Sequence, residues 1–178
     1  MDLSVFFEKI NPSLLPDIQA KGRLGRQING FERSFPIWEE ADVVIVGGRS
    51  HDEDELALAA DRIRQQLYAL SPLGKRITIA DLGNLKAKDS YDDYLDVFTY
   101  VLKHLLEQKK LVLIIGGDQS QTFAQAMAYE DYLSPVSYVQ VDKKFDLADK
   151  LEQLDRDTYN HLLLHPHRAW LRNFTNLG

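Results

Sequence analysis

The sequence has 178 residues and contains no cysteine. This absence excludes disulfide bonds, a thiolate nucleophile and a zinc site with cysteine ligands. It also suits a reducing compartment, so a soluble protein in the cytoplasm is the default expectation. No apolar run reaches the ~20 residues that a membrane-spanning helix needs. The start, Met1–Ser4, lacks the basic residues that open a signal peptide.

Positive charge is also in short supply, because 21 Lys and Arg face 27 Asp and Glu, which gives a net charge of −6. A general nucleic-acid-binding protein needs clustered positive charge, so that class is not expected. The composition, 44% apolar and 27% charged, is that of a globular protein. We predict a single α/β domain over residues 1–178, with an irregular arm over 1–40 and a sheet-containing body over 41–178.

Short apolar runs alternate with segments of helical periodicity through the body. This alternation predicts a three-layer α/β/α fold with a mainly parallel sheet. The strands are expected at Ala41–Gly48, Ile77–Gly83, Leu111–Ile115 and Val136–Val141, and the helices at Leu56–Leu70, at Tyr91–Leu106 and after Ser120. A continuous β-branched run such as the first of these strands is typical of a strand buried on both faces.

The two ends of the sequence are less regular. Apolar residues on one side of Asp2–Ile10 indicate a short helix. Near the end, Asp149–Asp155 indicates another short helix and Trp170–Leu177 indicates a fifth strand. No helix follows that strand, which leaves open whether the sequence is a fragment of a longer protein.

Acidic residues follow two of the predicted strands, at Gly116–Ser120 and at Asp142–Asp146. In open parallel sheets, ligands bind beyond the carboxyl ends of the strands, so these two stretches are the candidate site. Gly117, Asp118 and Arg49 are candidate ligand-binding residues at this edge. Neither a dinucleotide fingerprint nor a phosphate-binding loop is present, so a nucleotide site is not expected.

The same two stretches resemble motifs of the ureohydrolase superfamily, which comprises arginase, agmatinase and formimidoylglutamase. Gly116–Ser120 is similar to the family's Gly-Gly-Asp-His-Ser, and Asp142–Asp146 is similar to its Asp-Ala-His-x-Asp. Asp61–Leu67 lies where the family has a Pro-x-x-Ile-Arg helix, and Asp81–Asn84 matches its Asp-x-Gly turn. The sequence looks most like the N-terminal part of a formimidoylglutamase-like member, which implies an arginase-like fold.

The resemblance implies a site for two manganese ions, whose bridging hydroxide attacks a guanidinium or formimino carbon. The family's metal-ligand positions fall on Gln119, Asp142, Lys144 and Asp146. The two carboxylates are kept, but an amide and an ammonium replace the two imidazoles. A charged lysine has no acceptor and cannot coordinate a metal. The family's later Ser-x-Asp-x-Asp motif has no counterpart in the sequence.

We therefore expect a degenerate site with no catalytic residue, no cofactor and no hydrolase activity. Our hypothesis is that Lys144 stands in for the lost cation between Asp142 and Asp146, since two close carboxylates repel each other.

Two alternatives stay open. One is an active hydrolase of linear amidines that depends on Mn²⁺. The other is a binding or scaffold protein whose partner is a small amidine-like ligand or a second copy of the chain. Neither a nucleic acid nor a membrane is an expected partner.

Each of these features also has a simpler interpretation. The two aspartates are typical of a solvated turn or helix cap, the lysines of a protein surface, and Gln119 of a helix start. The acidic run His51–Glu55 favours the start of a helix over a metal cluster. Three further histidines do not share one helical face, because a proline separates them: His161, His165 and His167.

Overall fold

A computed structural model describes residues 2–16, 22–49, 58–72, 74, 77–130, 135–145 and 170–178. The described strands are β1 Phe7–Glu8, β2 Ile28–Gly30, β3 Val43–Gly48, β4 Ile79–Leu85, β5 Leu111–Gly116, β6 Val136–Val141 and β7 Leu171–Leu177. The described α-helices are α1 Ala59–Ala69, α2 Tyr91–Glu107 and α3 Ser120–Met127. Short 3-10 segments span Leu3–Phe6, Pro12–Leu14 and Leu24–Gln27.

The main sheet has the strand order β1-β4-β3-β5, and β2 also pairs with β4. Strands β2, β3, β4 and β5 are parallel, and β1 is antiparallel to β4. Helix α2 packs on one face of the sheet and helix α1 on the other. The prediction of an α/β/α arrangement with a mainly parallel sheet is confirmed.

Side chains of β3 reach both faces of the sheet, because successive residues of a strand point in opposite directions. Val44 and Val46 join the cluster under α2, where Phe98 is fully buried. Ile45 joins the cluster under α1. The β-branched run therefore forms a strand buried on both faces, as its composition predicted.

The last two strands form a separate sheet, in which β6 and β7 pair in parallel. Among the described residues, these two strands make no ladder with the main sheet. Leu111 and Leu113 of β5 are 66% and 40% exposed, and no described strand pairs with the far edge of β5. An apolar run predicts a strand, but it carries no information about which strand will lie beside it.

The N-terminal region differs from its prediction in two ways. The expected helix at Asp2–Ile10 is one 3-10 turn, capped by Asp2, followed by β1. The helical turn ends at Phe6, because Phe7 begins β1 and its side chain is buried in the core. The arm over 1–40 also contributes to the core, because Phe31 and Trp38 are buried in it.

The structure buries an unexpected face of α1. Ala60, Arg64 and Tyr68 are buried, whereas Ile63 and Leu70 are 42% and 55% exposed. The spacing of apolar residues in Leu56–Leu70 predicts a different inward face, which includes Ile63 and Leu70. The ion pair of Arg64 with Asp81 in β4 accounts for the difference. Among the described residues, no helix combines the length and apolar character needed to cross a bilayer.

Candidate functional site at the strand ends

The carboxyl ends of three neighbouring strands lie side by side in the main sheet. Gly48 of β3 is in register with Gly116 of β5, and Gly47 of β3 is in register with Asn84 of β4. The polar residues that follow these strands are therefore grouped at one edge, as expected for a parallel sheet.

Asp81, the third residue of β4, is completely buried and accepts four hydrogen bonds. Arg64 donates from Nε to Oδ2 at 2.8 Å and from Nη2 to Oδ1 at 3.0 Å. The Tyr68 hydroxyl donates to Oδ2 at 3.1 Å, and the backbone N–H of Gly83 donates to Oδ1 at 2.9 Å. This bidentate ion pair satisfies the carboxylate in full, which is the condition for burying a charge.

The remaining donors of Arg64 are also used. Its Nη1 donates to Asp61 at 2.9 Å and to Asn84 at 2.5 Å. Burial alone would lower the pKa of Arg64, but the adjacent Asp81 carboxylate outweighs burial and raises that pKa. Burial, with the Asp81 charge, also holds the pKa of the Tyr68 hydroxyl far above its ordinary value. The network is therefore a fixed ion pair that ties α1 to β4, and it exposes no reactive group.

At the end of β5, two glycines turn the chain towards α3. Gly116 and Gly117 have φ values of +74° and +80°, which side-chain-bearing residues rarely adopt. A Cβ on Gly116 would lie 2.6 Å from the backbone nitrogen of Ala60. The pair of glycines therefore supplies both the positive φ and the close approach between β5 and α1.

The carboxylate that follows these glycines is held by the protein. Asp118 accepts at Oδ1 from the Tyr91 hydroxyl at 2.9 Å, from the Ser120 backbone N–H at 3.0 Å and from the Ser120 hydroxyl. The Tyr91 and Ser120 oxygens are also only 2.5 Å apart, so two hydroxyls with one proton each share their hydrogen bonds with the Asp118 carboxylate. Ser120 is fully buried. Burial raises the pKa of Tyr91, so its hydroxyl remains a donor at neutral pH.

Arg49, directly after β3, is fixed through its backbone by two helices. Its N–H donates to the Tyr94 hydroxyl at 2.7 Å, and its carbonyl accepts from Gln121 Nε2 at 2.5 Å. Burial raises the pKa of Tyr94 to about 12. The Gln121 amide packs against Gly48, where a Cβ would overlap it. The Arg49 guanidinium lies 3.4 Å from Glu8, and the acidic run His51–Glu55 lies outside the described residues.

On the second sheet, the residues after β6 form a tight turn. Asp142 Oδ1 accepts from the backbone N–H of Lys144 at 3.0 Å, the pattern of an Asx turn. Gln140 Nε2 donates to the Lys144 carbonyl at 3.4 Å, and Asn176 Nδ2 donates to the Asp142 carbonyl at 3.1 Å. The Lys144 side chain is exposed. Among the described residues, no ion pair joins it to the Asp142 carboxylate.

The predicted site residues thus lie in two groups. Gly117, Asp118 and Gln119 lie between β5 and α3, near Arg49, and Gln119 precedes α3 without a side-chain capping bond. Asp142 and Lys144 belong to the turn after β6, and Asp146 lies outside the described residues, as do His51–Glu55 and the three later histidines. The described part of the chain contains no group of three or more His, Cys, Asp or Glu that could hold a metal ion.

Three residues of these strand ends were missed by sequence reasoning, namely Arg64, Tyr91 and Gln121. A signal existed only for the first, since the family resemblance picked out both the Ile-Arg stretch of α1 and the Asp-x-Gly turn of β4. Those two motifs meet in the ion pair between Arg64 and Asp81. The other two were assigned only to helical segments, and their polar contacts depend on tertiary structure.

Comparison with known proteins gives one family match and several structural matches. The sequence profile of the arginase family matches residues 39–164. No curated protein matches the sequence significantly.

Among solved structures, formimidoylglutamase from Bacillus subtilis aligns with a TM-score of 0.71 and 16% identity, over 88% of this chain and 52% of that one. Formiminoglutamase from Trypanosoma cruzi with Mn²⁺ aligns with a TM-score of 0.62 and 18% identity, over 78% and 52%. A hypothetical agmatinase from Burkholderia thailandensis aligns with a TM-score of 0.65 and 16% identity, over 93% and 58%. The chain therefore shares their fold and spans about half of their length.

Proposed function

The chain belongs to the arginase family, and we propose that its strand-end site is a degenerate form of the family's dimetal centre, without hydrolase activity. At the four positions that correspond to metal ligands, Gln119 and Lys144 replace the two imidazoles, and Asp142 and Asp146 keep the carboxylates. A neutral amide is a weak ligand for manganese, and a charged ammonium is none.

The observation that carries this proposal is the geometry of the turn after β6. The Asp142 carboxylate accepts the Lys144 backbone N–H, and the Lys144 side chain is exposed to solvent. An Asx turn is a complete structural role for an aspartate and needs no ion to hold the side chain in place. Removal of a metal from this strand end would therefore leave the turn intact.

A further carboxylate at the strand ends, outside the four ligand positions, is also held by protein groups. Asp118 receives hydrogen bonds from Tyr91 and Ser120 through one oxygen atom. This oxygen is therefore engaged by protein donors. On this proposal, the residues at the four ligand positions supply too few metal-binding groups for a two-manganese centre.

The role of Lys144 as a substitute for the lost cation stays a prediction, because Asp146 lies outside the described residues. A cytoplasmic location, self-association and the binding of a small amidine-like ligand near Gly117, Asp118 and Arg49 likewise stay predictions from the sequence.

The proposal is tested by metal content and turnover. After dialysis against Mn²⁺ and then metal-free buffer, elemental analysis should find far less than one manganese per chain. Incubation with formimidoylglutamate, agmatine or arginine should release neither formamide nor urea. Stoichiometric manganese together with product release would support the alternative of an active amidine hydrolase.

Restoring the imidazoles provides the positive control. The double variant Gln119→His/Lys144→His should bind Mn²⁺ more tightly than the unmodified chain, since imidazole is a good ligand for divalent metals. The matched control is Gln119→His/Lys143→His, which adds the same residues but places one outside the ligand pattern. If both double variants gained the same affinity for Mn²⁺, position 144 would not correspond to a metal-ligand position of the family.

A further inference from the structure

A cavity of about 240 Å³ lies between α3 and the β6–β7 sheet, away from the strand ends described above. Ala126 of α3 is the small residue of its wall, and the bulky residues are Tyr129, Tyr138 and Trp170. Tyr138 and Val136 alternate with exposed residues along β6, so they face the helix. The exposed residues Ser137 and Val139 line the cavity as well, so it lies between the two elements and is open to solvent on one side.

Trp170 is the unusual member of this wall. Its side chain is 7% exposed, yet within the described part of the chain its indole Nε1–H has no hydrogen-bond acceptor. An indole nitrogen can only donate, and a buried donor without a partner costs about 1–3 kcal/mol. The residue is held in place, since its carbonyl accepts from the Val136 N–H at 2.8 Å and its ring stacks on Tyr129 at 6.4 Å.

The size and chemistry of the cavity restrict what it can hold. An apolar protein cavity of about 150 Å³ accommodates benzene, so about 240 Å³ leaves room for a single ring with a short substituent. The described lining residues carry no formal charge, which disfavours an ionic ligand. Aromatic walls favour a flat ring, which can stack on or meet them edge to face.

We propose that this cavity binds a neutral, single-ring aromatic molecule that carries a hydrogen-bond acceptor such as a carbonyl group. The ring packs against Tyr129 and Tyr138, and the acceptor receives the Trp170 Nε1–H. This site does not depend on the proposed function of the strand ends, because it shares no residue with them.

The test compares two probes of nearly equal shape, acetophenone and ethylbenzene, which differ in the carbonyl oxygen. The chain has two tryptophans, so a ¹⁵N-labelled sample gives two indole N–H signals. Acetophenone should shift the Trp170 signal downfield and leave that of Trp38, which is buried in the main core, unchanged. Ethylbenzene should bind about tenfold more weakly, because it leaves the donor unpaired.

Two variants assign the effect to the indole N–H. Trp170→Phe keeps an aromatic wall and removes the donor, so the affinities for the two probes should converge to within about twofold. Trp38→Phe is the matched control and should keep the preference for acetophenone. Circular dichroism checks that each variant is folded. If Trp170→Phe does not fold, the comparison of the two probes on the unmodified chain still decides.

The proposal is wrong if neither probe shifts the Trp170 signal at saturation, or if both probes bind equally well to the unmodified chain. It is also wrong if a folded Trp170→Phe variant keeps the preference for acetophenone. Filling the cavity with Ala126→Leu should abolish binding of both probes, and retained binding would place the ligand elsewhere.

Discussion

Asp81 and Asp142 both lie in the strand-end motifs of the parallel sheets, but their surroundings are opposite. Asp81, inside β4, has no exposed surface and receives four hydrogen bonds, two of them from Arg64. Asp142, after β6, is partly exposed, and its carboxylate receives the Lys144 backbone N–H. One aspartate is locked into the core by an opposite charge, and the other closes a turn at the surface.

The difference shows that a place in a motif does not decide what a carboxylate does. A buried carboxylate needs a partner of opposite charge, and Arg64 of α1 is that partner for Asp81. A partly exposed carboxylate is solvated and makes no such demand on its neighbours. Substitutions at the two ends should therefore differ most in their effect on stability.

The largest effect is expected from removing the partner of the buried charge. Arg64→Met keeps the aliphatic part of the side chain but leaves Asp81 unpaired, and it should lower the free energy of unfolding by about 3–5 kcal/mol. Urea denaturation measures the change. Arg62→Met, at an exposed position of the same helix, is the control and should change stability by less than about 0.5 kcal/mol. If Arg64→Met lowered the free energy of unfolding no more than Arg62→Met, the ion pair would not make Asp81 energetically different from Asp142.

A strong pH dependence is expected from the buried tyrosines beside the same strand ends. Tyr94 keeps its proton up to about pH 12 in the folded chain, whereas an unfolded tyrosine releases it near pH 10. The unfolded state therefore binds fewer protons between these values, and stability falls as the pH rises through this window. The slope attributable to one tyrosine is about 1.4 kcal/mol per pH unit at most.

Urea denaturation at a series of pH values, with tyrosinate absorbance as a second probe, measures this slope. Tyr94→Phe should make the decline between pH 10 and pH 12 shallower. Tyr68, next to Asp81, shifts in the same direction, so part of the decline should persist in the variant. An unchanged slope in Tyr94→Phe would show that its hydroxyl ionises normally in the folded protein.

A smaller loss is expected at the end of β5, which lies between the two extremes. Tyr91→Phe removes the hydroxyl that bonds to Asp118 and Ser120, and it should cost about 1 kcal/mol of unfolding free energy. Tyr100→Phe, on the more exposed side of the same helix, is the matched substitution and should cost less. Equal losses from the two variants would mean that the Asp118 hydrogen bonds add nothing to stability.

The smallest effect is expected at Asp142. Asp142→Asn keeps the Oδ1 acceptor of the turn and removes the charge, so the unfolding free energy should change by less than about 0.5 kcal/mol. A loss of 2 kcal/mol or more, measured in the same urea series, would indicate that the negative charge is needed. That outcome would favour an ion or the Lys144 ammonium as its partner.

Much of the fold could be predicted from the sequence, because its strands are apolar runs and its helices have a clear period. The range predicted for α2, Tyr91–Leu106, is within one residue of the observed helix, since an aromatic and aliphatic stripe continues along its length. The pairing of β6 with β7 could not be predicted, because an apolar run does not identify its neighbour.

The position of the Gly116–Ser120 segment could be predicted, but its contacts could not. The segment lies at a strand end, as predicted, and both of its glycines have positive φ. Helical periodicity counts only apolar residues, so it could not show that Arg64 points inward. The ion pair with Asp81 places a charged side chain at a core position, and this contact exists only in three dimensions.

The contact between Gly48 and Gln121 also limits how this sequence can diverge. A methyl group at position 48 would occupy the space of the Gln121 amide, which would then lose its hydrogen bond to the Arg49 carbonyl. Replacement of Gln121 by a smaller residue would free that space. The order of substitutions therefore matters. A residue larger than glycine at position 48 is tolerated after Gln121 has been replaced by a smaller residue, whereas the same change made first gives a less stable protein. Two positions far apart in the chain are thus expected to vary together among descendants of this sequence.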